Sequence, residues 1–142
     1  MLPFYGKVYE LKFMKGKIKQ MTFWIIIGAF IALVLLKSIL THNISVEDAA
    51  EKLRAGAVLI DVRAPGEFSA KHIKQAINIP LSSISDVKDK VKDKKTPIIL
   101  HCHSGARAVS ACSTLRNMGY ENVWNVGSYS RATKAANAAE TQ

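Results

Sequence analysis

The feature that most constrains this chain is an unbroken apolar run, Phe23-Trp24-Ile25-Ile26-Ile27-Gly28-Ala29-Phe30-Ile31-Ala32-Leu33-Val34-Leu35-Leu36. With Met21 and Thr22 in front and Lys37-Ser38-Ile39-Leu40 behind, it reaches about 20 residues, the length of a helix that spans the hydrocarbon core of a bilayer. A helix at the edge of a soluble core carries a polar face, and this one has none before Lys37. A cleaved secretory signal calls for a small-x-small pair near its end, and Lys37 to Ile44 offers none. The expected anchor is therefore one uncleaved transmembrane helix over residues 21–40, with a cleaved signal as the alternative. That leaves a basic tail at 1–20, without clear periodicity, and a separate domain at 41–142.

The net charge of +9 divides along the same line. Residues 1–40 hold six Lys against Glu10, a balance of +5, and the remainder holds fourteen Lys and Arg against ten Asp and Glu, a balance of +4. Five of those Lys precede the apolar run, and beyond Lys37 nothing basic follows until Lys52. The positive-inside rule then predicts a cytoplasmic N-terminus and an exported domain, periplasmic in a bacterium. Nucleic-acid binding would need a basic stripe interleaved with aromatics in the folded part. Lys88 to Lys95 instead alternates with Asp86, Asp89 and Asp93, a solvated face, so no nucleic-acid partner is expected. Two cysteines do not make a disulfide framework for a chain of this size.

After a short polar connector, Thr41-His42-Asn43, the pattern switches between helical and strand-like segments. Ser45 with Asp48 resembles an N-cap pair, and Ala49, Ala50 and Leu53 form one helical face ended by Gly56. Ala57-Val58-Leu59-Ile60 and Pro97-Ile98-Ile99-Leu100-His101 read as strands covered on both faces. Pro65 opens a short helix through Ala70, and Ala76 to Ile79 is a brief strand ending at Pro80. Leu81, Ile84, Val87 and Val91 recur at helical spacing. Arg107 to Met118 reads as a helix stopped by Gly119, followed by a strand at Val123–Val126 and an Ala-rich helical tail from Tyr129. Strands alternating with helices predict one α/β domain on a mainly parallel sheet flanked by helices.

The chemistry gathers where the second buried strand runs into Cys102-His103-Ser104-Gly105-Ala106-Arg107. Ligands of parallel α/β sheets bind beyond the carboxyl ends of the strands. Small residues let the backbone curl there, so that the N–H groups of residues 103 to 107 converge as an anion nest. The dipole of the helix that follows and the Arg107 guanidinium add positive charge. All three favour thiolate over thiol at Cys102 and surround it with donors, the makings of a nucleophile.

Cys-x-x-Gly-x-Arg after an apolar strand resembles the active loop of the rhodanese family. A second stretch agrees: Asp61-Val62-Arg63, Glu67-Phe68, His72-Ile73, Ala76, Asn78 and Ile79-Pro80, in that order. The match runs from Ile44 to about Gly127, with Met118-Gly119-Tyr120 and Asn122-Val123 most similar to the single-domain rhodaneses of phage-shock protein E type. Lys71 stands where the family usually has Gly, Gly127-Ser128 where it often has Gly-Gly, and the Trp that usually follows is absent.

The resemblance implies a thiosulfate sulfurtransferase working by two-step exchange. Cys102 would take the outer sulfur of thiosulfate or a similar donor as a persulfide and yield it to cyanide or a cellular thiol. His103, Ser104, Gly105, Ala106 and Arg107 would line the substrate, Asp61 and Arg63 would form a positioning pair below the loop, and His72 would serve through a structural hydrogen bond. No metal and no organic cofactor is implied. Two other readings stand beside this one. The first is a membrane-tethered persulfide carrier or binding module with little turnover. The second is a Cys-dependent phosphatase or arsenate reductase, which the loop disfavours: such phosphatases carry Cys-x5-Arg, whereas Arg107 lies five positions after Cys102 and position six is Ala108. His101 and His103 flank Cys102, but neighbours in sequence do not chelate one ion and no further ligand cluster accompanies them. Cys112 is spaced on its helix for half-burial and reads as a packed thiol.

Overall fold

The computed structural model describes residues 4–40 and 43–141. Contacts divide the chain into two units, Met1–Ser38 and Ile39–Gln142.

The first unit is built on one helix, α1, Phe4–Leu40. The basic tail, which shows no clear periodicity, is thus helical backbone from Phe4 onward. After Pro3 no proline interrupts the chain until Pro65, and the Lys, Glu, Leu and Met of this segment favour helix without needing an apolar stripe. The window Lys19–Leu36 has a mean hydropathy of 2.0 and is long and apolar enough to cross a membrane. Its large side chains, Trp24, Ile26, Phe30 and Leu33 among them, are exposed. Of the polar connector, Thr41 and His42 lie outside the described residues.

The second unit opens with α2, Val46–Arg54, whose N-cap Ser45 accepts a hydrogen bond from the Asp48 amide as the sequence predicts. The chain then runs β1 (Val58–Asp61), α3 (Pro65–Ala70), β2 (Ile77–Asn78), a 3-10 segment (Leu81–Asp86), α4 (Val87–Lys90), β3 (Ile98–Cys102), α5 (Ala106–Asn117), β4 (Val123–Ser128) and α6 (Tyr129–Glu140). Where apolar spacing from Leu81 to Val91 predicts one helix, the chain forms a 3-10 segment kinked at Ser83 and a single short α-turn. Ile84, Val87 and Val91 are buried all the same, so spacing identified the covered face but not the helix type.

The four strands are parallel in the order β2-β1-β3-β4. All five residues of β3 are buried, and the two-residue alternation of a strand sends them to opposite layers. Ile98, Leu100 and Cys102 join the core beneath α5 and α4 with Ala108, Ala111, Cys112 and Leu115. Ile99 joins Ala49, Leu59, Val126, Ala132, Ala135 and Ala136 beneath α2 and α6. The result is a sheet covered on both faces, as its apolar strands require. Cys112 is fully buried, not half-buried: α5 lies flat on the sheet, and the Cys112 side of the helix faces it.

One irregularity matters for the site. Leu100 pairs with Asn125, but His101 pairs with Gly127, so β4 carries an extra residue at Val126, a β-bulge. Gly127 holds φ +98° there, and the Asn125 side chain accepts from the Gly127 amide at 2.8 Å.

Candidate active site

Cys102 is the last residue of β3, at the carboxyl end of the sheet, with its side chain covered. The turn after it hinges on Gly105, whose φ of +106° and ψ of −22° belong to the left-handed region open to glycine. That turn swings the Gly105 N–H back onto Cys102 Sγ at 3.0 Å. Gly105 is also the N-cap of α5 and supplies no capping side chain. The first N–H groups of a helix have no partner within it, and here they have the sulfur. Burial pushes the Cys102 thiol up, but hydrogen bonds from the amides of Ala108, Gly105, Ser104 and Arg107 outweigh it and bring the pKa below its ordinary value. Of the cradle expected over residues 103–107, the amides of Ser104, Gly105 and Arg107 serve the sulfur, and Ala108 joins them. The His103 carbonyl accepts from the Tyr129 amide at 3.3 Å, and the Ala108 amide, one residue beyond the motif, turns to the sulfur.

Gly105 also meets the bulge. A Cβ at Gly105 would stand 3.1 Å from Gly127 Cα, so any side chain there would push loop and bulge apart by a few tenths of an ångström. Asn125 Nδ2 reaches the Gly105 carbonyl at 3.5 Å and Asn43 Oδ1 at 2.8 Å.

Arg107 is partly exposed but held in an ion pair. Its Nη1 and Nη2 grip Glu67 Oε2 and Oε1 at 2.6 and 3.0 Å. Glu67, in the first turn of α3, also accepts from the Ala64 amide at 3.1 Å. The Arg107 hydrogen bonds, with help from that amide, hold the Glu67 carboxyl at a pKa of about 2. Arg107 is correspondingly raised above its ordinary value, by Glu67 first and, among smaller causes, by Cys102. The guanidinium therefore stands between a carboxylate and the sulfur.

Asp61 and Arg63 form a second, buried pair. Arg63 Nε donates to Asp61 Oδ1 at 3.0 Å and Oδ2 at 2.9 Å, and Nη2 to Oδ2 at 2.6 Å. Arg63 Nη2 also donates to the Lys71 carbonyl at 2.7 Å, while Asn78 Nδ2 ties the carbonyls of Asp61 and Arg63 together, each at 2.9 Å. These bonds lock the β1–α3 turn beside the cysteine loop. His72 stacks on Phe68 at a centroid distance of 4.3 Å, with Nδ1 3.0 Å from the Phe68 carbonyl, and stays exposed. His101, on the opposite face of β3 from Cys102, is fully buried, edge-on to Tyr129 at 5.9 Å and 3.8 Å from Asp61 Oδ2. Burial holds its pKa below the usual value. Burial pushes the Cys112 thiol up to about 12, so the two cysteines differ sharply. Among the described residues no group of three or more His, Cys, Asp or Glu is arranged to hold a metal ion.

The loop and the Asp61–Arg63 pair lie at the carboxyl end of the sheet, whereas His72 packs on Phe68. Sequence reasoning quoted Glu67 in a motif without giving it a task, and it missed Asn125 and the Ala108 amide. Only the spacing of Glu67 ahead of His72, inside the second motif, pointed to any of the three.

Comparison with known families identifies the domain. Residues 45–135 match the rhodanese-like domain, and the chain belongs to that family. It is 37% identical over 105 residues to the uncharacterized protein YqhL of Bacillus subtilis, covering 72% of this chain and 82% of that one. It is 36% identical over 69 residues to the thiosulfate sulfurtransferase PspE of Escherichia coli, covering 48% of this chain and 66% of that one. Among solved structures it is similar to a rhodanese with anions from E. coli, with a TM-score of 0.52, 32% identity, and coverage of 54% of this chain and 91% of that one.

Proposed function

We infer that this protein is a sulfurtransferase that carries sulfane sulfur on Cys102, tethered to a membrane by α1. One observation carries the reading: a covered sulfur that accepts from the Gly105 amide at 3.0 Å and is drawn toward thiolate by four amides in all. In the first half-reaction the Cys102 thiolate attacks the outer sulfur of thiosulfate. A bond forms between Sγ and that sulfur, the bond to the sulfonyl sulfur breaks, and its electron pair departs with sulfite. In the second, cyanide or a thiol attacks the outer sulfur of the persulfide, and the Cys102 thiolate leaves. The cradle that favours the thiolate equally favours the anionic persulfide, since both place negative charge where the amides converge. Arg107, pinned by Glu67, borders the same point. The five-position loop suits one bound sulfur atom better than a phosphoryl group with three peripheral oxygens.

The Lys-rich flank ahead of the apolar run supports a cytoplasmic N-terminus and an exported domain. The test of the activity is thiocyanate formation from thiosulfate and cyanide by the full chain in mild detergent. Turnover that vanishes in Cys102→Ser supports the reading. Absent turnover, or phosphate-ester hydrolysis dependent on Cys102, would overturn it. A C-terminal reporter active only in the cytoplasm would overturn the topology.

A further inference from the structure

The bulge against which Gly105 packs is itself held by one buried side chain. Asn125, 3% exposed, has Oδ1 accepting from the Gly127 amide at 2.8 Å. A backbone N–H only donates, so this contact fixes which end of the side chain is oxygen, and Nδ2 points the other way. There Nδ2 donates to Asn43 Oδ1 at 2.8 Å and, at a longer 3.5 Å, to the Gly105 carbonyl. The Asn125 side chain thus ties together the bulge, the cysteine loop and the segment that follows α1.

Asn43 follows Leu40, the last residue of α1, after only Thr41 and His42, and the chain there is stitched to the same place. Asn43 pairs with Asn125 as an isolated parallel bridge, and the Ile44 amide donates to the Asn125 carbonyl at 3.0 Å. Arg131 closes the junction, donating from Nε to the Val126 carbonyl at 2.8 Å and from Nη2 to the Ile44 carbonyl at 3.0 Å. A Cβ on Gly127 would meet Arg131 Cδ and Nε at 3.3 Å. Gly127 therefore sits close between Arg131 and Gly105, and the Gly105 amide donates to Cys102 Sγ at 3.0 Å.

We propose that Asn43 is a positioning residue for Cys102: by holding the Asn125 amide in place it holds the bulge against Gly105, and so keeps the Gly105 N–H aimed at the sulfur. This deepens the sulfur-transfer reading and rests on it. Without the Asn43 oxygen, Asn125 Nδ2 keeps only its long contact to the Gly105 carbonyl. Water can then satisfy the donor but does not fix its direction, so the side chain shifts toward the loop or away from the Gly127 amide. Either movement displaces Gly105, and a hydrogen bond weakens steeply as it bends or lengthens. The connector between the apolar helix and the domain thereby tunes the nucleophile, although Asn43 is exposed and lies outside the cysteine motif.

The experiment compares the full chain in mild detergent with Asn43→Ala, Asn43→Asp, Asn125→Ala and the variant carrying both alanines. The readout is the pH midpoint of Cys102 alkylation by iodoacetamide, which needs no sulfur transfer. Asn43→Ala should raise the midpoint by about 0.5 unit, an about threefold loss of thiolate at pH values below it. Asn43→Asp keeps an oxygen that accepts from Asn125 Nδ2 and should recover the parent midpoint. Asn125→Ala should shift the midpoint in the same direction, and adding Asn43→Ala to it should add nothing. Should Asn125→Ala not fold, Asn43→Ala and its Asp rescue decide alone. Tyr120→Phe, which removes a buried hydrogen bond to the Val91 carbonyl, controls for general loosening and should leave the midpoint in place. The acid limb of kcat/KM for thiosulfate should move with the alkylation midpoint. An unmoved midpoint in Asn43→Ala, no recovery in Asn43→Asp, an equal shift in Tyr120→Phe or additive shifts in the double variant would each overturn the proposal. A parent chain that forms no thiocyanate, yet keeps the Asn43-dependent midpoint, would sink the sulfur-transfer reading and leave the positioning role standing.

Discussion

Gly105→Ala tests the construction of the site at its tightest point. Gly105 holds φ +106°, and an L-residue in so sparsely populated a region costs on the order of 1–3 kcal/mol. Its new Cβ would also stand 3.1 Å from Gly127 Cα, a backbone atom that cannot swing aside as a side chain would. Gly127 sits in the β4 bulge, hydrogen-bonded to Asn125, so relief means moving the bulge or the loop by a few tenths of an ångström. Together these predict a loss of roughly 2–3 kcal/mol, out of the 5–15 kcal/mol typical of a domain. The variant should fold, with its urea midpoint lowered by about 1–1.5 M for a slope of about 2 kcal/mol per M. Because the Gly105 amide donates to Cys102 Sγ at 3.0 Å, the shift should also raise the thiol pKa, read as the midpoint of iodoacetamide alkylation against pH. Gly66→Ala is the control: nothing lies within 4 Å of its Cβ position and its φ is not positive, so it should change stability by less than about 0.5 kcal/mol. A Gly105→Ala protein as stable as the control, with an unmoved alkylation midpoint, would refute the reasoning.

Thiosulfate should add the mass of one sulfur atom to the peptide containing Cys102; Cys102→Ser should abolish the adduct, and Cys112→Ser, which removes a buried thiol with a pKa of about 12, should leave it. An adduct mapped to Cys112 would contradict the assignment. Tyr120→Phe should cost about 1–3 kcal/mol in urea unfolding, because the buried Val91 carbonyl loses the hydroxyl that donates to it at 2.6 Å; a neutral result would mean the carbonyl finds another donor. The Glu67 carboxyl is depressed on folding, to about 2, so its contribution to stability is present above the ordinary carboxylate range and is lost as pH falls toward 2. The carboxylate is about one-third exposed, which keeps that contribution small. Glu67→Gln should flatten acid-induced unfolding in that window without altering stability at pH 8 by much, and an unchanged acid limb would remove the pair from the account.

Much of this protein is legible in short stretches of its sequence because the forces involved act over short stretches. Apolar runs bounded by Gly and Pro mark β1 and β3, Ser45 announces α2 through a bond to a residue three positions on, and Cys102-x-x-Gly105-x-Arg107 places thiol, turn and helix start within one loop. The unbroken run from Phe23 to Leu36 marks α1 in the same way, although the helix extends back through a tail whose lack of periodicity hid it. What the tertiary structure alone decided lies between segments. The order β2-β1-β3-β4 sets β1 beside β3, and only that adjacency brings Glu67, forty residues earlier, onto Arg107. The bulge at Val126 is a mismatch between β3 and β4, invisible in either strand, yet it positions Gly127 under Gly105 and turns Asn125 toward the loop. A carboxylate finds a guanidinium by distance in space, and that distance is set by which strands pair and in what register, a choice made by the packing of the whole domain.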